Sequence, residues 1–185
     1  SVAEALHIRL DNLYSEPYMV EYIRTYMENN EFTSDNVIVV SPDAGGVKRA
    51  ERIADALNLG CVTMSKTRCS AGIVSKIVLN GEVNGKICVV VDDMVDTCGT
   101  VIKASEKLKE FGAHQIIMIA CHGILSNNAI ADVEASCIDQ LVITDTVDKQ
   151  FGDVIKTFGI GRNNETPVHQ VTNKIRIVSI SWLFA

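Results

Sequence analysis

The chain has 185 residues, which is most simply one domain and is long enough to bury a substantial core. Hydrophobic residues make up 47% of it and charged residues 22%, which is the composition of an ordinary globular protein. The net charge of −6 argues against a nucleic-acid-binding protein, because such proteins usually present a basic face.

The first predicted element is a helix over residues 16–29. Pro17 stands at its start, where the missing N–H of proline would have no partner in the helix anyway. Val20, Ile23 and Met27 recur at helical spacing and give this helix one apolar stripe.

A strand and a second helix follow. Residues 37–40 are a continuous apolar run, which is typical of a strand buried on both faces of a parallel sheet. Gly45 and Gly46 then turn the chain into a helix, and we expect Gly60 to end it. The residues of this helix that are predicted to face inward are Ile53, Ala54 and Leu57.

Strands and helices continue to alternate further along the chain. Strands are predicted at residues 61–64, 77–79, 87–91, 116–121 and 141–144, and helices at residues 100–111 and 127–133. The apolar segment 175–184 is expected to end the sheet or to seal an interface. This alternation predicts an α/β fold with a doubly wound, mainly parallel sheet and flanking helices. In such a fold the loops after the strands lie along one edge, where ligands bind.

Two acidic residues, Asp92 and Asp93, follow the most strongly apolar strand of the chain. Carboxylates repel a phosphate, but they suit the hydroxyls of a ribose or a metal ion held by it. Simple helix capping is the alternative, since Asp and Thr are good caps. Capping does not explain three acids within five residues, because Asp96 also belongs to this strand end.

The loop after these acids leads into a helix and has the composition of a phosphate site. Gly99 lets the backbone approach a phosphate closely, and the hydroxyls of Thr97 and Thr100 add donors. The helix start contributes unpaired N–H groups and a positive dipole end. We therefore predict that Asp96, Thr97, Cys98, Gly99 and Thr100 bind the phosphate of a sugar phosphate.

A second candidate loop follows the strand at residues 37–40. It consists of Asp43, Ala44, Gly45 and Gly46. A glycine turn after a buried strand exposes backbone N–H groups that form a concave site for a diphosphate. Asp43 stands at the mouth of the turn, where it is placed to bind Mg²⁺ directly or through water.

Residues 89–100 resemble the motif that binds phosphoribosyl diphosphate (PRPP) in type I phosphoribosyltransferases and PRPP synthases. Residues 39–50 resemble the diphosphate loop of the synthases. Further matches are residues 11–17, 86–87 and 120–123 and the ending 178–184. The chain thus looks like the carboxy-terminal half of a ribose-phosphate diphosphokinase. We expect residues 1–185 to form a single phosphoribosyltransferase-like domain, without the family's amino-terminal domain.

The resemblance implies that the anomeric hydroxyl of ribose 5-phosphate attacks the β-phosphorus of Mg-ATP, which gives PRPP and AMP. It implies Mg²⁺ as cofactor and a homo-oligomer as the assembly. It assigns the 5-phosphate to the loop that begins at Asp96, and the ribose hydroxyls to Asp92. Lys66 and Arg68 resemble a Lys-x-Arg pair that begins a mobile loop over ATP, so they are expected to stabilise the transition state.

Several alternatives remain open. A solvated basic loop is the other interpretation of Lys66 and Arg68. We expect Lys48 and Arg49 to lie on a solvated helix face, and attraction of anions is the alternative role for these two residues. His122 could be a metal ligand or a base, although a hydrogen-bonded structural residue is favoured. The rival functions are a phosphoribosyltransferase and a non-catalytic regulatory subunit associated with PRPP synthase.

The chain also departs from the family pattern. Residues 126–129 are Ser-Asn-Asn-Ala where the family usually has Ser-Gly-Pro-Ala. The family's amphipathic helix near the carboxy-terminal end has no clear counterpart in residues 158–178 of this chain. The six cysteines form no Cys-x-x-Cys pair, which favours reduced thiols over disulfides or a zinc site. No apolar run approaches the length of a membrane span, and no signal-peptide pattern opens the chain. We therefore expect a cytoplasmic protein without a membrane partner.

Overall fold

The structure is a computed structural model, and it describes residues 14–67, 76–147, 156–160 and 166–180. Within these ranges the helices are α1 Glu16–Asn29, α2 Val47–Leu57, α3 Gly99–Glu110 and α4 Ala129–Ala135. The strands are β1 Val37–Ser41, β2 Gly60–Thr67, β3 Lys76–Asn80, β4 Ile87–Val95, β5 Gln115–Gly123, β6 Gln140–Thr144, β7 Lys156–Ile160, β8 Thr166–Gln170 and β9 Ile175–Val178. No helix in these ranges is long and apolar enough to cross a membrane.

The strands form one mixed sheet in the order β3-β2-β1-β4-β5-β6-β9-β8-β7. Neighbouring strands from β2 to β9 run parallel, whereas the pairs β2–β3, β9–β8 and β8–β7 are antiparallel. The order places β4 beside β1, although two strands lie between them in the chain. The predicted fold, a mainly parallel sheet with flanking helices, is confirmed.

Helices cover both faces of the sheet. α1 and α2 pack on the face that contains Val39 and Val89, and α3 and α4 pack on the face that contains Val40 and Val90. Successive residues of a strand point to opposite faces, so in β1 and β4 both sets of side chains enter a core. This double burial is why these strands are continuous apolar runs rather than alternating ones.

Tyrosines, rather than the predicted stripe alone, attach α1 to the sheet. Tyr18, Tyr22 and Ile23 are buried, whereas the predicted Val20 and Met27 are only partly so. The Tyr18 hydroxyl donates to a sheet carbonyl at 3.4 Å, and the Tyr22 hydroxyl accepts a bond from a glutamine amide of β6 at 2.5 Å. Tyrosine suits this position because it buries a ring and still satisfies its polar tip.

The end of α2 differs from the prediction. The helix ends at Leu57, and Asn58 adopts the left-handed backbone conformation with φ of 53°. The prediction that Gly60 ends the helix is wrong, since Gly60 is the first residue of β2. Asparagine is one of the few residues besides glycine that adopt this conformation readily. Ile53 is buried as predicted.

Several strands also differ from the prediction, and β7 and β8 were not predicted. β2 continues to Thr67, and β4 continues to Val95 because its pairing with β5 extends that far. The carboxy-terminal strand β9 does not end the sheet, since it lies between β6 and β8, and β7 forms the edge. Its residues Ile175 and Val178 are fully buried, which explains its interior position. Residues 181–184 of the predicted segment lie outside the described residues.

Candidate functional site

The two candidate loops meet where β1 and β4 end. These strands are parallel neighbours, and Val40 pairs with Val90. The loop after β1 therefore lies beside the acidic residues of β4, at the carboxyl edge of the sheet where ligands bind in open α/β folds. Asp92 and Asp93 belong to the strand itself, so they are held by its backbone pairing rather than by a loop.

The carboxylate of Asp43 organises the loop between β1 and α2. Its Oδ1 accepts hydrogen bonds from the backbone N–H groups of Gly45 at 2.8 Å and Gly46 at 3.0 Å. The Ser41 hydroxyl donates to the Asp43 carbonyl at 2.7 Å and fixes the turn from below. The N–H groups predicted to bind a diphosphate thus bind an anionic oxygen, which belongs to the chain itself. A bound diphosphate would have to replace this carboxylate.

Glycine at position 46 allows a close approach between the turn and the Ser41 side chain. A Cβ there would lie 2.9 Å from the Ser41 hydroxyl oxygen, which is closer than real Cβ contacts allow. A larger residue at position 46 would displace the Ser41 hydroxyl, which donates to the Asp43 carbonyl.

Arg49, which follows the Asp43 loop, contacts the acid pair of β4. The sequence analysis did not predict this contact. Its Nη1 lies 3.3 Å from Oδ1 of Asp92, and its Nη2 lies 3.4 Å from Oδ2 of Asp93. Its side chain is only 20% exposed, so the expectation of a solvated helix face is wrong for Arg49. Lys48 is exposed as expected. The spacing in the sequence could have indicated this contact. Arg49 is three residues after Gly46, and residues three apart lie on the same side of a helix, so Arg49 was placed to face the loop.

The two carboxyl groups titrate as a pair. Burial and, after it, the neighbouring Asp93 raise the pKa of Asp92 to about 6, and the guanidinium of Arg49 acts in the opposite direction. Burial also acts to raise the pKa of Asp93, but the bond to Asp92 and the charge of Arg49 outweigh it, so this pKa lies below its ordinary value. Asp93 is therefore the charged member of the pair in weak acid, and Asp92 takes up the proton first.

The predicted phosphate loop leads into α3, which begins at Gly99. The residue before it, Cys98, is buried and adopts a left-handed conformation with φ of 60°. Its side chain makes no capping hydrogen bond, and the first turn of α3 contains no acidic residue. Asp96, Thr97 and Thr100 are exposed around it. The start of α3 could therefore accept an anion at its backbone N–H groups. The alternative interpretation, that these residues serve only as side-chain caps of the helix, is not supported.

The predicted catalytic residues lie at the limit of the described structure. The backbone of Lys66 belongs to β2 and pairs with Ile77 of β3. The side chain of Lys66 and the whole of Arg68 lie outside the described residues. Their predicted roles therefore stay predictions. Residues 126–129, the departure from the family pattern, form the entry to α4, with Asn127 at φ of 56°.

His122 lies at the same edge of the sheet, on β5, opposite Met94 of β4. Its ring is exposed, and its Nδ1 is 2.8 Å from the hydroxyl of Thr146. The Thr146 hydroxyl is in turn within 3.2 Å of the Cys121 carbonyl and 2.8 Å of the Thr144 hydroxyl. This network agrees with the interpretation of His122 as a hydrogen-bonded structural residue.

Comparison with known proteins gives a consistent result. The family model described as phosphoribosyl synthetase-associated domain matches residues 72–185. The chain is 48% identical over 141 residues to ribose-phosphate pyrophosphokinase 4 of Saccharomyces cerevisiae, which covers 76% of this chain and 42% of that protein. It is 39% identical over 179 residues to ribose-phosphate pyrophosphokinase 2 of the same organism, which covers 96% of this chain and 54% of that protein.

The fold of this chain also resembles solved structures. The phosphoribosylpyrophosphate synthetase of Mycobacterium smegmatis matches with a TM-score of 0.71 and 28% identity, over 94% of this chain and 49% of that one. An adenine phosphoribosyltransferase matches with a TM-score of 0.50 and 17% identity over 63% of this chain, which shows a shared fold. The chain spans about half the length of the curated relatives it matches.

Proposed function

Because the chain belongs to the phosphoribosyl synthetase-associated domain family, we propose that it is the ribose 5-phosphate-binding half of a ribose-phosphate pyrophosphokinase. The reaction transfers the diphosphoryl group of Mg-ATP to ribose 5-phosphate and gives PRPP and AMP. One observation carries the proposal. The acid pair of β4 and the Asp43 loop after β1 lie side by side, and the guanidinium of Arg49 contacts both acids.

The arrangement suits a sugar phosphate that receives a diphosphate. Asp92 accepts hydrogen bonds from the ribose hydroxyls, and Asp96 to Thr100 bind the 5-phosphate at the start of α3. The loop of Asp43, Gly45 and Gly46 follows β1, the strand beside β4, so it neighbours a ribose held at the acid pair. That loop binds the diphosphate through the N–H groups of Gly45 and Gly46, and the diphosphate replaces the Asp43 oxygen that they bind in this structure. Positioning of the two reactants then supplies most of the acceleration.

Mg²⁺ is the cofactor that this chemistry requires. Asp43 is exposed, and only its Oδ1 is bound by the loop, so its second oxygen suits a hard cation. No three acidic, histidine or cysteine residues gather to hold a metal in the described part of the chain. A single carboxylate plus substrate phosphates is a common way to bind Mg²⁺ in phosphoryl-transfer sites. When bound, the ion neutralises charge on the transferring phosphates.

The remaining roles follow from the family resemblance. Lys66 and Arg68 stabilise the charge that builds on the transferring phosphoryl oxygens. ATP is the second substrate, and the active protein is a homo-oligomer. Turnover requires the rest of the enzyme, because the chain spans about half of its relatives.

The test is an assay of the full-length protein with Mg-ATP and ribose 5-phosphate, in which AMP and PRPP are measured together. Equal amounts of AMP and PRPP are expected. Release of diphosphate from PRPP in the presence of a nucleobase would instead identify a phosphoribosyltransferase. Binding of ribose 5-phosphate without either reaction would identify a regulatory subunit.

A further inference from the structure

Arg49 touches both halves of the candidate site. It lies in the first turn of α2, directly after the loop of Asp43 to Gly46. Its guanidinium bridges Asp92 and Asp93, and its Nη1 lies 3.7 Å from the point where a Cβ on Gly46 would stand. The side chain thus lies near Gly46 of the diphosphate loop and contacts the acid pair.

The adjacent negative charges of Asp92 and Asp93 are stabilised by a neighbouring cation. Asp92 and Asp93 are adjacent in β4, and Arg49 is the one cation that forms a salt bridge with either of them among the described residues. Two uncompensated carboxylates would repel a sugar phosphate, which carries negative charge itself. They would also attract a divalent cation, because paired carboxylates are good ligands for hard metals.

The bridge further restricts how the carboxylates move. A guanidinium is planar and offers its N–H groups in a rigid fork, so one side chain holds two carboxylates in a defined orientation. A lysine would supply the charge without the fork. A ribose diol requires acceptors at a defined separation, so orientation and charge both matter for its binding.

We propose that Arg49 is a positioning residue of the ribose 5-phosphate site, where it orients and neutralises Asp92 and Asp93 and excludes a divalent cation from them. The proposal rests on the proposed function, because its ligand is ribose 5-phosphate. It predicts two effects of opposite sign when Arg49 is removed. Sugar phosphate binding becomes weaker and metal binding becomes tighter, whereas a purely structural defect would weaken both.

The experiment compares Arg49→Ala and Arg49→Lys with a matched control, Arg52→Ala. Arg52 lies three residues later on α2, is 59% exposed and pairs with Glu16, and it forms no salt bridge with Asp92 or Asp93. Calorimetry measures ribose 5-phosphate binding in the presence of a chelator. Electron paramagnetic resonance measures the binding of free Mn²⁺ to the chain alone. Thermal melting checks that each variant is folded.

We expect Arg49→Ala to weaken ribose 5-phosphate binding about tenfold, which is the usual scale for a lost charged hydrogen-bonding partner. Its Mn²⁺ binding becomes severalfold tighter, and adding Asp92→Asn removes that gain. Arg49→Lys restores the charge and gives intermediate values, and Arg52→Ala matches the parent chain in both measurements.

Equal behaviour of Arg49→Ala and Arg52→Ala in both measurements overturns the proposal, and so does a loss of both affinities in a folded Arg49→Ala chain. A parent chain that binds no ribose 5-phosphate contradicts the proposed function instead. In that case the Mn²⁺ comparison still decides whether Arg49 keeps a cation away from the acid pair. If Arg49→Ala is poorly folded, Arg49→Lys and Arg52→Ala carry the comparison.

Discussion

At the scale of single residues, Asp92 holds a charge where burial disfavours one, since its pKa is raised to about 6. We predict that Asp92→Asn weakens ribose 5-phosphate binding about tenfold or more, because a neutral amide is a poorer acceptor for the ribose hydroxyls. The fold should stay intact, because the substitution keeps the size of the side chain and removes a poorly solvated charge. Calorimetry and thermal melting measure the two effects. Unchanged affinity in a folded variant would remove Asp92 from the site.

The same residue predicts a pH dependence of stability. The folded state raises the pKa of Asp92 from 3.8 to about 6, so between these values the folded chain binds more protons than the unfolded chain. Stability from this group is therefore present at low pH and is lost as pH rises through about 6. The melting temperature of Asp92→Asn relative to the parent should rise across that window, and a constant difference would contradict the assignment. Asp93, whose pKa is lowered, contributes in the opposite direction.

Lys66 and Arg68 are expected to act mainly on the transition state. In the full-length enzyme, Lys66→Ala and Arg68→Ala should lower the turnover number on the order of 100-fold or more, with smaller changes in KM. The reason is that charge builds on the transferring oxygens only as the reaction proceeds. Steady-state kinetics measures both constants. Near-normal turnover in both variants would leave the pair as a solvated basic loop.

At the scale of elements, the docking of α1 depends on tyrosine hydroxyls as well as on apolar contacts. Tyr22 is buried, and its hydroxyl accepts a hydrogen bond from Gln140. Tyr22→Phe leaves that amide without its partner, so we predict a loss of about 1 kcal/mol in the free energy of unfolding. Denaturant unfolding measures it. Tyr14→Phe is the matched control, because Tyr14 is 65% exposed, and equal effects of the two substitutions would contradict the prediction.

At the scale of the whole molecule, we expect this chain to bind ribose 5-phosphate without catalysing the synthesis of PRPP. The acid pair and the phosphate loop lie in one strand-loop-helix unit, so we predict that the 185-residue chain alone binds ribose 5-phosphate. It should not make PRPP, because the family resemblance implies an ATP pocket built from both halves of the enzyme, and loss of proximity removes most of the acceleration. The chain is incubated with Mg-ATP and ribose 5-phosphate, and AMP and PRPP are measured. Coupled turnover would show that this chain needs no further domain.

Local sequence chemistry was sufficient to predict much of the fold and to select the two loops of the candidate site, whose roles stay predictions. Residues 37–40 are apolar at every position because both faces of the strand are buried. Such a strand can be recognised from its own sequence, without knowledge of the strands that pair with it. The acids and glycines of residues 39–50 and 89–100 are informative for the same reason, since each motif is contiguous. The comparisons with ribose-phosphate pyrophosphokinases agree with what these motifs indicated.

Other features were decided only by tertiary structure. Arg49 and Asp92 are 43 residues apart, and their contact exists because β1 and β4 became neighbours in the sheet. The interior place of β9 depends on pairing with β6 and β8, which no local pattern encodes. Asn58 ends α2 in a left-handed conformation where we expected Gly60 to end it. Asn127 was predicted to begin a helix, but it adopts a left-handed conformation and α4 begins at Ala129. Sequence shows what each segment prefers, but which segments become neighbours is decided by burial and pairing across the whole chain.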